Sequence, residues 1–193
     1  MDTDMHEAEL NRRLELKSAM RVYLLALIIG LGVGTVGSAF HYSVDRAIDL
    51  YAVIATMFAG HEIMATLIAA LMGGAMVAAS ATLVRRFAPE TAGSGIQEIE
   101  GAMSGLRPVR WKSVLPVKFF GGVLSMGAGL VLGREGPTIH LGGCIGQIVG
   151  EKAKGNTHTI NTLLAAGATA GLSVASSAPL GAILFMIEEM RHR

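Results

Sequence analysis

Two runs without a single Asp, Glu, Lys or Arg, Val22 to Val44 and Ile63 to Val84, constrain this 193-residue chain more than anything else in it. Each supplies the roughly 20 apolar residues that a helix needs to cross a hydrocarbon core. The predicted solvent is a bilayer. With 51% hydrophobic and only 16% charged residues, the chain is too apolar for an ordinary water-soluble domain. The first run is too long for a cleaved signal, and the charged stretch before it too extended. Arg12, Arg13, Lys17 and Arg21 precede that run, the 45–62 link carries only Arg46, and Arg85 and Arg86 close the second run. The positive-inside rule then predicts a cytoplasmic N-terminus, an external link and a return to the cytoplasm near Arg86. The expected layout is a tail or interfacial helix over 1–21 and a multi-pass, all-α membrane unit over 22–193.

Several function classes are excluded by composition and context. A net charge of +1 leaves no basic footprint for nucleic acid. The single cysteine, Cys144, rules out an intrachain disulfide and reads as a small packed residue in a helix. His6, His41, His61, His140, His158 and His192 show no metal-ligand spacing, and no Ser/His/Asp arrangement sits in a soluble pocket, so neither a metal site nor an enzyme is expected. Gly32-Val33-Gly34-Thr35-Val36-Gly37 fits the dinucleotide pattern GxGxxG, with Asp49 downstream, but it lies in a membrane span with no strand before it. Helix packing through Gly30 and Gly34 is the expected reason for these glycines. No internal repeat is visible, and residues 150–159 form the clearest polar link.

Beyond Arg86 the apolar segments come in pieces. Trp111 to Leu132 reads as a helix interrupted by Lys118, Gly136 to Gly150 as a short helix, and Ile160 to Ile187 as an apolar segment broken around Ser176-Ser177-Ala178-Pro179. At 1.5 Å per residue the 136–150 piece reaches roughly 22 Å and is expected to stop partway through the core. A helix that ends inside a bilayer must be covered by protein or line a cavity, and its positive N-terminus suits an anion. Two such termini are predicted, at Gly93-Ser94-Gly95-Ile96 and at Gly133-Arg134-Glu135-Gly136-Pro137. Free N–H groups and the Ser94 hydroxyl would hold a small anion without the grip of a bare cation. Ser94 also reads as a helix N-cap, with Gln97 three residues on completing a capping box, and the two roles can coexist. Glu135, among Leu130, Val131, Leu132 and Ile139, is expected to be a buried carboxylate over a helix N-terminus, which marks an ion or proton site.

The runs Gly93 to Gly101, Arg107-Pro108-Val109-Arg110-Trp111, Leu115 to Gly122 and Gly133 to Thr138, with Ala178-Pro179-Leu180 and Ile187-Glu188-Glu189-Met190-Arg191, closely resemble the CLC family of chloride channels and proton/chloride exchangers. The resemblance is strong over residues 85–191 and points to the bacterial exchangers. It implies a partial first inverted repeat of the CLC fold, with broken and re-entrant helices. Ser94 matches the serine that coordinates the central anion, helped by the backbone at Gly95, Ile96, Gly133, Arg134 and Gly136. Glu135 matches the gating glutamate and Glu189 the internal proton-transfer acid, with Glu100 and Glu188 as supporting acids. Arg134 is expected to fix its loop rather than touch the ion, and Lys118 to be a buried structural or electrostatic partner. Gln97 stands where much of the family has proline.

The implied function is proton/chloride antiport, with a passive chloride channel as the alternative and Glu189 favouring exchange. No cofactor is expected, chloride being the transported ligand. The implied setting is a bacterial inner membrane and a homodimer in the full-length form. The resemblance further implies that this chain is the N-terminal part of a longer protein, inactive without a C-terminal half that supplies a tyrosine, more backbone amides and most of the dimer surface.

Overall fold

The computed structural model describes residues 2–57 and 60–191, with side chains described within 19–188 apart from residues 55, 58 and 59. Among these residues the order is α1 (Asp2–Thr56), α2 (Glu62–Phe87), a 3-10 turn (Pro89–Thr91), α3 (Ile96–Met103), α4 (Trp111–Gly127), α5 (Glu135–Lys152), α6 (Thr157–Ser176) and α7 (Pro179–Arg191), with no strand. The all-α expectation therefore holds. Segments Ala19–Ile54 and Glu62–Phe87 are each long and apolar enough to cross a membrane. They turn Leu24, Leu27, Leu31, Leu67 and Leu71 outward, as a hydrocarbon solvent allows.

Several sequence expectations change. The 1–21 tail is not set off from the first span, because the helix runs unbroken from Asp2 to Thr56. No Gly or Pro lies between Asp2 and Ile29 to stop it. The same continuity shortens the expected 45–62 link to the few residues after Thr56. Lys118 does not interrupt α4, since lysine is a good helix former and its ammonium finds partners off the helix. Instead α4 ends at Gly127, ahead of Gly129 at φ +84°. Helix α5 begins at Glu135 and runs to Lys152, so at 1.5 Å per residue it reaches ~27 Å and length alone does not make it stop partway. Among the described residues the shortest α-helix is α3, with 8 residues.

The centre of the fold is the antiparallel hairpin of α5 and α6. Gly142, Gly146 and Gly150 recur every fourth residue and so share one face of α5. A β-carbon at Gly142 would strike the Gly167 carbonyl, one at Gly146 the Leu163 carbonyl, and one at Gly150 would lie 3.1 Å from Ile160 Cα. From the α6 side, Gly171 rests on the Thr138 carbonyl. Backbone meets backbone along the whole seam, which is how helices gain contact where burial from water offers no drive. The hairpin turns through residues 153–156, and Asn156 caps α6 by accepting from the Thr159 N–H at 2.8 Å. The break predicted near Ser176 falls as expected: Ser177 adopts φ +54° and Pro179 opens α7, where a missing N–H costs nothing.

Helix α1 lies across α4, α5 and α6. Ile29 and Val33 pack with Ile145 and Leu163, while Phe40 and Val44 pack with Met126 and Leu141. The glycines that admit it are not those expected. Gly30 and Gly34 have nothing within 4 Å of a virtual β-carbon, whereas one at Gly32 would lie 3.2 Å from Ile145 and one at Gly37 2.9 Å from Val174. The buried stripe of α1 runs through Ile29, Val33, Phe40 and Val44, and residues 30 and 34 fall beside it. Cys144 is fully buried on α5, as expected for a packed small residue.

The loops at the Arg85–Arg86 end of α2 are tied by charge. Arg110 grips Glu90 with two hydrogen bonds of 2.7 Å, and Arg107 meets Glu98 at 2.9 Å. The Arg110 hydrogen bonds hold the Glu90 carboxyl below its ordinary value of 4.5. A carboxyl with a depressed folded value stabilises above its unfolded value, and the contribution is lost as pH falls through the folded one. We expect Arg110→Ala to lower stability slightly at neutral pH, and by much less at pH values where Glu90 is protonated in both proteins. Thermal unfolding across an acid series checks this; a deficit that stays constant with pH would show that Arg110 acts by packing alone.

Candidate functional site

Both predicted helix N-termini exist, and they meet. Gly95 (φ +90°) is the left-handed residue before Ile96 opens α3, and Arg134 precedes Glu135 at the start of α5. A β-carbon on Gly136 would come within 2.6 Å of the Ser94 carbonyl oxygen and 2.9 Å of Ser94 Cβ. Only a glycine lets the first turn of α5 rest on the Ser94 loop. The unpaired N–H groups and positive dipole ends of two helices are thereby brought to one place.

Ser94 is not the N-cap, a correction to the expected capping box with Gln97. Gly95 takes that position because the chain needs a left-handed residue there, and no side chain caps the helix. Ser94 Oγ instead accepts from the Ile96 N–H at 3.3 Å. Among the described residues its own proton meets no acceptor, so the hydroxyl is available to donate outward. Ser94 is exposed in this chain.

Glu135 is likewise exposed, against the expectation of a buried carboxylate. Of its expected neighbours, Ile139 is buried but Leu130, Val131 and Leu132 are open, Val131 wholly so. The reason is local: residues 129–133 of the link are themselves exposed and cover nothing. The carboxylate folds back over the link, with Oε2 2.7 Å from where a Gly133 β-carbon would stand. Arg134 points elsewhere, to Asp45 on α1 at 2.6 Å, an ion pair that anchors the link as expected of a loop-fixing residue.

Ser94 and Glu135 line one cavity of about 570 Å³ with Gly93, Ile96, Lys118, Gly133 and Gly136 among its walls. Lys118 corrects the picture of a site without a fixed cation. It is 5% exposed, and its Nζ donates to the carbonyls of Thr91 at 3.0 Å and Gly93 at 2.6 Å. Those bonds brace the strand of chain entering Ser94, and they consume two of the ammonium's three protons. Opposite stand Ser80 and Ser125, which sequence reasoning missed. Their hydroxyls lie 2.8 Å apart and each is within 2.9 Å of the Gly121 carbonyl. Two protons serve three oxygen contacts, so this wall offers lone pairs to the cavity and no donor. The donors for an anion come from the Ser94 side.

Glu135 also borders a second, apolar cavity of about 380 Å³, walled by Ile139, Leu172, Ala182 and Phe185. Ile96 lines both spaces and stands between them. Along α7, residue 189 follows 182 and 185 at helical spacing, on the same face. The Glu189 side chain itself lies outside the described residues. Glu188 is exposed on α7, and Glu100 borders a small cavity with Ile96, Phe185 and Met186. His140 is the other residue sequence reasoning passed over, having been judged only as a metal ligand. Its spacing of four from Gly136 was the available signal.

Comparisons with known proteins place the chain in a family. The sequence profile of the voltage gated chloride channel family matches residues 73–193. A protein of Vibrio cholerae serotype O1 named H(+)/Cl(-) exchange transporter ClcA is 48% identical over 181 residues, covering 91% of this chain and 38% of its own length. A protein of the same name from Salmonella arizonae is 46% identical, covering 91% of this chain and 37% of its own length. The crystal structure of a slow cyanobacterial Cl-/H+ antiporter superposes with a TM-score of 0.85 at 43% identity, covering 88% of this chain and 40% of that one. The chain thus spans about two-fifths of the length of the relatives it matches.

Proposed function

Because this chain belongs to the voltage-gated chloride channel family, whose similar members carry names of proton/chloride exchangers, we propose that it supplies the first part of a proton/chloride antiport pathway. The observation that carries this reading is the junction of α3 and α5, where a hydroxyl with an uncommitted proton, two helix N-termini and one carboxylate share a cavity. Ser94 is the anion ligand, aided by backbone at Gly95, Ile96, Gly133, Arg134 and Gly136. Glu135 is the gate. Ionised, its carboxylate is the anion that the helix termini favour, and chloride is kept out by charge and volume. Protonated, it loses that attraction and leaves room for chloride. Chloride itself is the ligand, and no cofactor takes part.

The proton reaches Glu135 along the apolar groove beside Ile96 and α7, with Glu189 as the acceptor on the far side. The N-terminus and the Arg86 end lie in the cytoplasm, in a bacterial inner membrane crossed several times. The working form is a homodimer with further residues of the length found in the relatives. The exposure of Ser94, Glu135 and Val131 fits a surface that such residues cover. The 193 residues by themselves are expected to insert without exchanging ions.

A passive channel is the second reading, and Glu189 separates the two. In the full-length protein, Glu189→Gln is expected to stop proton movement and keep chloride movement, since the anion route uses Ser94 and backbone amides. Paired pH and chloride electrodes on reconstituted liposomes read both. Equal loss of the two fluxes would make Glu189 structural.

A further inference from the structure

Helix α5 holds the anion loop at two points, not one. Gly136 and His140 are four residues apart and so stand one turn apart on the same face. The first touches Ser94. The second touches Gly95: His140 Cβ and Cγ lie 2.7 Å from where a Gly95 β-carbon would stand, and Nδ1 lies nearer still. Consecutive residues of the loop therefore rest on consecutive turns of the helix that carries Glu135.

His140 is 1% exposed, yet its Nδ1 has no hydrogen-bond partner among the described residues. Nothing polar orients this nitrogen, and the ring's bulk is what the loop meets. On its other side the ring lines a cavity of about 480 Å³ whose walls include Glu90, Val109, Arg110 and Val114. His140 is thus a partition between that open space and the underside of Gly95. Without it the loop would have room to sink, and Ser94 Oγ would leave the position set by Gly136 and the Ile96 N–H.

We propose that His140 is a positioning residue for chloride binding, its ring fixing Gly95 and through it the Ser94 hydroxyl. The inference rests on the reading of Ser94 as an anion ligand. The opposing view is a core histidine whose loss lowers stability and nothing else.

Chloride titrated calorimetrically into monodisperse full-length protein in detergent decides between them. His140→Ala is expected to weaken chloride binding about tenfold. His140→Leu, close in volume and without ring nitrogens, should stay within about twofold of wild type. Gly95→Ala should abolish measurable binding, because alanine is strained at φ +90° and its methyl group also meets the His140 ring. Should His140→Ala give no monodisperse protein, His140→Val is expected to weaken binding in the same direction. Wild-type affinity in the trimmed variants, or Leu as poor as Ala, would each overturn the proposal while leaving the Ser94 reading intact. If wild type binds no chloride, both fall.

Discussion

Glu135→Gln in the full-length protein should abolish proton transport while chloride continues to flow at a rate nearly independent of external pH. The amide has the size of the protonated acid and cannot release a proton. With no charge, it also loses the attraction of the α3 and α5 N-termini that brings the carboxylate into the anion position. An effect this complete is expected because one group performs both jobs: it lines the cavity shared with Ser94 and borders the apolar groove beside α7. Arg134→Gln, next in sequence, should behave differently. Its guanidinium is engaged by Asp45 and lies outside the anion position, so loss of that pair should lower flux or stability without uncoupling the two ions. Proton-coupled chloride uptake by the Glu135→Gln protein would refute the gate.

The largest effect on folding is expected at Gly142. Replacement by leucine drives a side chain into the Gly167 backbone at the middle of the α5–α6 seam, where no rotamer relieves the clash. Overpacking of this kind costs about 3 kcal/mol, and more where two backbones must separate. Since α5 and α6 carry most of the packing that places Glu135 and His140, the variant should fail to give a monodisperse peak in detergent. Gly30→Ala is the control. Nothing lies within 4 Å of that position, and exchanging a mid-helix glycine for alanine removes a penalty of about 0.5–1 kcal/mol. A Gly142→Leu protein that unfolds at the temperature of Gly30→Ala would mean that the seam is not the core.

These two glycines show where the sequence was legible and where it was not. Charge-free runs and a Ser-Ser-Ala-Pro break report on single helices, so the apolar cores of α1 and α2 and the α6–α7 junction could be read from the chain directly, though not the full extent of α1. Which glycines face a neighbour depends on the register between helices, and Gly30 and Gly34 have the right spacing on a face that meets nothing. The site divides in the same way. Ser94 and the pair Glu135 and Gly136 that opens α5 announce themselves by turn and helix-start chemistry, and the motifs that resemble CLC proteins are what suggest the roles proposed for them. That Gly136 rests on Ser94, that Lys118 braces Thr91 and Gly93, and that His140 lies under Gly95 are facts of tertiary contact. Exposure of Glu135 was misjudged for a related reason: apolar neighbours in sequence, Leu130 to Leu132, turn outward and bury nothing.

The most direct test of coupled exchange at the α3–α5 junction is a single recording on liposomes that hold the full-length wild-type protein, loaded with high chloride and diluted into low-chloride buffer at equal pH and equal potassium, with valinomycin to carry the compensating charge and both electrodes in place. Antiport predicts that chloride leaving down its gradient drives protons inward, so the external medium becomes alkaline without any imposed pH difference. Chloride efflux with no proton movement, under conditions where an added ionophore confirms that the vesicles hold a pH gradient, would contradict it and leave a passive channel.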